Sequence, residues 1–246
     1  TRDGFVQTRT RMINMARGHA KSLGLRLPAC SAEAFYKRAG EVLTEEEAPG
    51  SGMVLATIEH LTTKIRELDR QIQTISDARY PETRVLRQVP GVGPLTALCF
   101  VLTIEDPNRF ANSRQVGAYL GLVPKQRDSG QRQPQLAITK RGDTMLRRLL
   151  VGSARYTLGP HGSESDLRSF GLRLATTGSR AGRNRAATAV ARKLAVLLHR
   201  LWLTGEVYQP VGYDPYSSRL AHDCGIQSQV ALTNDAAITS SAVSAA

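Results

Sequence analysis

Between Val54 and Ile75 the apolar residues Val54, Ile58, Leu61, Ile65, Leu68, Ile72 and Ile75 recur alternately four and three positions apart. That spacing lays them along one stripe of a helix, where a strand would need a period of two. It is a heptad seam with Ile58, Ile65 and Ile72 at a and Leu61 and Leu68 at d, on a helix about 33 Å long at 1.5 Å per residue. Isoleucine at a with leucine at d suits a two-stranded parallel coiled coil. Lys64 at g would then face Asp69 at the following e of the partner, a pair adding only about 0.2–1 kcal/mol. Roughly three heptads are few for an isolated coiled coil, so antiparallel packing against an upstream helix of the same chain is an equal alternative. Such a helix is at hand over residues 4–24, with Phe5, Val6, Met12, Ile13, Ala16, Ala20 and Leu23 apolar. Leu27-Pro28 ends it, and Ser31 can cap a second helix through about Leu43. Ala48-Pro49-Gly50-Ser51-Gly52 separates that pair from the seam, and Tyr80-Pro81 closes the seam.

The run Leu86-Arg87-Gln88-Val89-Pro90-Gly91-Val92-Gly93-Pro94-Leu95-Thr96-Ala97 reads as a short helix, a tight turn and a second helix opening at Pro94. This is the helix-hairpin-helix pattern. Gly91 and Gly93 let the backbone turn sharply and come near a phosphate, and the amides at the start of the following helix point at it. Proline fits a first helical turn because its missing N–H has no partner there in any case. A plain helix-helix connector would look the same, so the weight of this reading comes from charge.

The chain of 246 residues carries a formal charge of +12, unevenly placed. Residues 125–155 hold eight basic side chains against Asp128 and Asp143, and residues 156–205 another eight against Glu164 and Asp166. Two such blocks in succession mark a surface for nucleic acid rather than merely a solvated one. Asn112 or Ser113 can cap a helix through Leu120, and Gly121-Leu122-Val123-Pro124 leads into a polar stretch, 125–138. A helix from Asp143 sets Met145, Leu146, Leu149, Leu150 and Ala154 opposite Arg147, Arg148 and Arg155. Residues 159–166 read as a loop. A helix over 184–203 turns Ala187, Val190, Ala191, Leu194, Leu197, Leu198 and Leu201 inward and leaves Arg183, Arg185, Arg192, Lys193 and Arg200 outside. The fold expected is mainly α: a helical linker and coiled-coil arm (1–80), a helix-hairpin-helix-containing helical domain (81–208) and a flexible C-terminal tail (209–246).

Cys30, Cys99 and Cys224 stand far apart, which argues against disulfides and structural zinc and fits a reducing cytosol. No apolar run is long enough to span a bilayer, so no membrane partner is expected. The sequence holds no HExxH, phosphate-binding P-loop or GxSxG elbow, and its five histidines are isolated. No metal site and no cofactor is expected in this chain. One hydroxyl sits in a suggestive setting: Ser129, within Lys125-Gln126-Arg127-Asp128-Ser129-Gly130-Gln131-Arg132, with Lys140-Arg141-Gly142 following. A serine attacking a phosphodiester needs cations to stabilise the added negative charge. Lys125, Arg127, Arg132, Lys140 and Arg141 could supply them, and Gly130 would allow close approach. Spacing alone favours an ordinary Ser-Gly turn.

The motif set tips that balance. Val89-Pro90-Gly91-Val92-Gly93, Gly121-Leu122-Val123-Pro124, Asp128-Ser129-Gly130, Lys140-Arg141-Gly142-Asp143 and Leu146-Arg147, with the basic helix from Asn184-Arg185 to Trp202, closely resemble the insertion-sequence 110 transposases. That group includes the Piv-type DNA invertases, and the resemblance extends over residues 1–208. It implies a DNA transposase or site-specific recombinase whose nucleophile is Ser129. It also implies DNA as partner, a structured guide RNA that selects it, assembly as a dimer or tetramer, and a bacterial, cytoplasmic, nucleoid-associated setting. The residues expected at nucleic acid are Gly91, Gly93, Lys125, Arg127, Gly130, Arg132, Lys140, Arg141, Arg147, Arg148, Arg185, Arg192 and Lys193. Family members also carry a RuvC-like domain whose acidic residues bind Mg2+. That domain is not in this sequence, so it is expected upstream of Thr1, or the chain is a remnant. The rival reading is a non-catalytic, dimeric helix-hairpin-helix DNA-binding protein, which has no use for a hydroxyl at Ser129.

Overall fold

The seam forms one face of the longest helix, α3 (Ser51–Arg79), whose first half packs against α1 (Arg2–Ser22). A computed structural model describes residues 1–44, 46, 48–127, 129, 136–175 and 178–212. The two helices are antiparallel: Arg2 pairs with Asp69 at 2.5 Å, and Arg9, one heptad on, meets Thr62, one heptad back. Ile13 and Ile58 share a core with Ala16, Ala20, Phe35 and Ala39, the last two from α2 (Phe35–Gly40). The in-chain alternative therefore accounts for Ile58, Leu61 and Ile65, all buried. Leu68 and Ile72 are half-buried and Ile75 is 42% exposed. Arg9 is an unusual element of this seam. It is buried, with Nη1 donating to Thr62 Oγ1 at 3.3 Å and Nε without a partner among the described residues.

The second core is built around α9 (Arg180–Thr204). Its alternation of alanine, valine and leucine buries Ala187, Val190, Ala191, Leu194, Leu197, Leu198 and Leu201, the inward set expected from the sequence. Against it pack α4 (Thr83–Leu86), α6 (Arg114–Tyr119), α7 (Thr144–Leu158) and α8 (Asp166–Leu174), while α5 (Pro94–Ile104) joins through Phe100, Val101 and Ile104. Helix starts follow local capping. Asp143 accepts from Leu146 N at 2.6 Å and Ser179 from Gly182 N at 3.0 Å, each satisfying an amide that the first turn leaves free. Ser179 thus starts α9 four residues before the apolar pattern suggested. Ser165 likewise caps α8, a helix the sequence reading did not assign. Among the described residues the regular elements are helices, and Pro124 and Ile138 form an isolated antiparallel bridge. The mainly α class holds.

His199 on α9 is fully buried and ties the core to the segment before α6. Its Nε2 lies 2.8 Å from the Pro107 carbonyl, which can only accept, so Nε2 carries the proton and Nδ1 accepts from the Ser113 hydroxyl at 2.9 Å. Burial holds the imidazole below its ordinary pKa, partly offset by that carbonyl. The unfolded chain therefore binds the proton first. Stability is complete above about pH 6.5 and falls as the pH drops below it, until the folded imidazole also protonates. Urea unfolding of wild type and His199→Gln at pH 7.5 and 5.5 should show a smaller pH-dependent loss in the variant; an equal loss would place the titrating group elsewhere.

Candidate nucleic-acid interface and serine loop

The hairpin joins α4 to α5 as the sequence suggests, but its two glycines face different ways. Gly91 has φ +87°, and a Cβ there would sit 2.9 Å from Tyr156 Cδ1 and 3.2 Å from the Ser153 carbonyl. Glycine is needed at this position because the turn rests directly on α7. Gly93 is extended and exposed, a Cβ there would meet open space, and it precedes Pro94 at the α5 N-terminus. Gly93, rather than Gly91, thus leaves room for a phosphate at the helix start. Beside the turn, Tyr156 is 48% exposed and Arg155 reaches Asn184 of α9. Sequence reasoning passed over Tyr156; an aromatic residue at the edge of a basic helix face was the available signal.

The serine loop leaves the fold from a stiff base. Lys125 N donates to the Ala137 carbonyl at 3.0 Å, Thr139 N to Val123 at 2.9 Å and Lys140 N to Gly121 at 3.1 Å. These bonds hold the outgoing segment 121–125 beside the returning segment 137–142. Two glycines make the crossing possible. Gly121 has φ +66°, and a Cβ there would collide with the backbone N and O of Arg141. Gly142 has φ +79°, and a Cβ there would collide with the Tyr119 carbonyl. The Gly-Leu-Val-Pro and Lys-Arg-Gly-Asp motifs are thus two halves of one interlock. Arg147, one turn into α7, closes it: Nη1 donates to the Leu120 carbonyl at 3.1 Å and the Arg141 carbonyl at 2.9 Å, and Nη2 to Thr144 Oγ1 at 3.2 Å.

Ser129 is exposed, as are Lys125 and Arg127 before it and Lys140 and Arg141 at the returning base. Gly130 and Arg132 lie outside the described residues. On α7, exposed Arg148 pairs with Asp3 of α1 at 2.5 Å, an exposed contact worth little that a phosphate can replace. On α9, Arg185 is exposed. Arg192 and Lys193 are drawn in, Arg192 lying against Gly117 and Lys193 Nζ standing 4.1 Å from the centroid of the Phe170 ring. The expected cations therefore fall into the serine loop and its base, the exposed face of α7, and a half-buried pair on α9. Among the described residues no group of three or more His, Cys, Asp or Glu is placed to hold a metal ion, and no helix is long and apolar enough to cross a membrane.

The Gly91 turn thus rests on the C-terminal half of α7, and the base of the segment bearing Ser129 is fixed at the N-terminal end of the same helix. Residues 83–167, from α4 to the start of α8, match the family described as Transposase IS116/IS110/IS902 family. The chain is 34% identical over 215 residues to the transposase for insertion sequence element IS1111A of Coxiella burnetii, covering 85% of this chain and 58% of that protein. It is 33% identical over 218 residues to a probable family 20 transposase of Pseudomonas aeruginosa, covering 85% and 63%. It is also 33% identical over 159 residues to the transposase for element IS1328 of Yersinia enterocolitica, covering 63% and 47%. The chain thus carries a transposase domain of the IS116/IS110/IS902 family, as its motifs indicated, and spans about three fifths of the length of the first two relatives.

Proposed function

We propose that this chain forms the DNA-joining part of a transposase or site-specific recombinase, with Ser129 as the nucleophile. The observation that carries the reading is the exposed Ser129 in a loop flanked by exposed Lys125, Arg127, Lys140 and Arg141, inside the matched family segment. Attack by Ser129 Oγ forms a P–O bond to the serine and breaks the bond from phosphorus to one deoxyribose oxygen. The serine proton goes to a base, and the departing oxygen gains a proton. The phosphoserine ester keeps the energy of the broken phosphodiester, so rejoining needs no ATP. The cations offset the charge that develops on the phosphoryl oxygens.

Duplex DNA would lie along the open α5 N-terminus at Gly93 and the exposed face of α7. A structured guide RNA is the second polyanion we assign to the basic surface. Assembly as a dimer or tetramer would use the part of the seam from Leu68 to Ile75 that α1 leaves half-covered or exposed. Mg2+ would be held by acidic residues outside this chain, and no step above is routed through it.

Affinity of the chain for duplex DNA should fall with salt, each phosphate contact adding a slope of about −0.9 in log K against log[salt]. Lys125→Ala and Arg141→Ala should each make that slope shallower. Ser129→Ala should leave both affinity and slope unchanged while abolishing strand exchange in the recombining protein. Salt-independent affinity, or strand exchange at the wild-type rate by Ser129→Ala, would overturn the reading.

A further inference from the structure

Arg147 lies in the basic block from which nucleic-acid contacts were expected, yet its side chain is turned toward the protein. Both Nη1 protons are directed at backbone carbonyls, one from each side of the interlock at the root of the serine loop: Leu120, just before Gly121, and Arg141, just before Gly142. Nη2 is directed at Thr144, and the residue as a whole is half-buried. The two carbonyls come from segments 21 residues apart in sequence, whose close approach depends on Gly121 and Gly142, where a Cβ would be blocked. Ser129 lies between them in sequence. Any change in the separation of Leu120 and Arg141 is therefore a change in where the loop starts and ends.

We propose that Arg147 is a positioning residue for Ser129, a planar fork that fixes the two feet of the serine loop, and not a phosphate contact. The proposal rests on the reading of Ser129 as the nucleophile. Arginine suits this task because its guanidinium presents donors on two nitrogens in a rigid plane, here holding two carbonyls at Nη1 and Thr144 Oγ1 at Nη2 at once. A lysine ammonium is a flexible point charge. At a phosphate contact the two residues are near equivalents in charge; at a two-carbonyl fork they are not.

The test compares Arg147→Lys and Arg147→Ala with Arg141→Ala in the recombining protein. For both Arg147 variants the expected result is about a hundredfold lower turnover, the scale of a 1 Å misplacement at a reacting centre. The DNA concentration for half-maximal rate and the salt slope should be unchanged. Arg141→Ala should instead make the slope shallower by about 0.9. Millimolar guanidinium should restore part of the turnover of Arg147→Ala, which a misfolded variant would not allow. Wild-type turnover in Arg147→Lys, or a slope in Arg147→Ala shifted as in Arg141→Ala, would make Arg147 a phosphate contact and overturn the proposal.

Hydrogen exchange in the 246-residue chain separates this failure from failure of the serine reading. Amides of Thr139 and Lys140, which bond to Val123 and Gly121, should exchange faster in Arg147→Lys while those of α9 do not change. Unchanged exchange overturns the proposal whatever Ser129 does. Faster exchange together with full activity of Ser129→Ala would overturn the nucleophile and leave Arg147 as the clamp of a non-catalytic loop, which also ends its role as a positioning residue.

Discussion

Gly121→Ala is expected to destabilise the protein by about 2–5 kcal/mol, summing about 1–2 for a left-handed backbone at alanine and about 1–3 for a methyl forced into filled space. The methyl would meet the backbone N and O of Arg141, which no rotamer change can move aside. Relief requires parting the segments 121–125 and 137–142 that hold Ser129 between them in sequence. That would lengthen the Lys140–Gly121 hydrogen bond and draw the Leu120 and Arg141 carbonyls away from Arg147. Gly152→Ala provides the contrast. Gly152 lies within α7 on its exposed side with open space around it. Alanine there should stabilise by about 0.5–1 kcal/mol, because glycine is a poor residue for a helix interior. Urea unfolding of the two variants should therefore shift in opposite directions; equal stability of Gly121→Ala and wild type would mean that the interlock is not as tight as described.

Several features were legible because local chemistry dictates them. The heptad pattern determines α3 and its buried face, the inward residues of α9 follow from helical periodicity, and Asp143 marks the start of α7 by its capping carboxylate. What the pattern left open was the partner of the seam. Isoleucine and leucine at a and d bury equally well against α1 or against a second chain. The contacts of Arg2 with Asp69 and Arg9 with Thr62 settle that choice for the first half, and neither can be recognised as a pair from its spacing. α8 escaped notice because it is only nine residues long, although Leu167, Phe170 and Leu174 recur at helical spacing behind the Ser165 cap.

The site was read less completely than the fold. Positive charge in sequence cannot distinguish an arginine aimed at phosphate from one aimed at carbonyls, and Arg147 and Arg168 are both of the second kind. Arg168 donates to the carbonyls of Thr157 and Gly159 and so closes the C-terminal end of α7. Similarly, Gly91 and Gly93 look equivalent in a Pro-Gly-Val-Gly turn, and only the packing of Tyr156 tells them apart. Gly121 and Gly142 stood in the motifs, but their shared purpose depends on a crossing between segments 21 residues apart.

Deleting the Ser129 hydroxyl is expected to have the largest effect on activity. Strand exchange should fall on the order of a millionfold, the scale seen when an enzyme loses a serine nucleophile. The fold and DNA affinity should hardly change, since Ser129 is exposed and alanine removes only one oxygen. The most direct measurement is to quench strand exchange with denaturant in mid-reaction and digest the protein with trypsin. Cleavage after Arg127 and Arg132 releases Asp128-Ser129-Gly130-Gln131-Arg132, a peptide whose single hydroxyl belongs to Ser129. A deoxynucleotide phosphodiester on that peptide, absent from Ser129→Ala, is the result expected. A covalent adduct mapped to another peptide, or wild-type strand exchange by the alanine variant, would contradict the assignment of Ser129 as the attacking group.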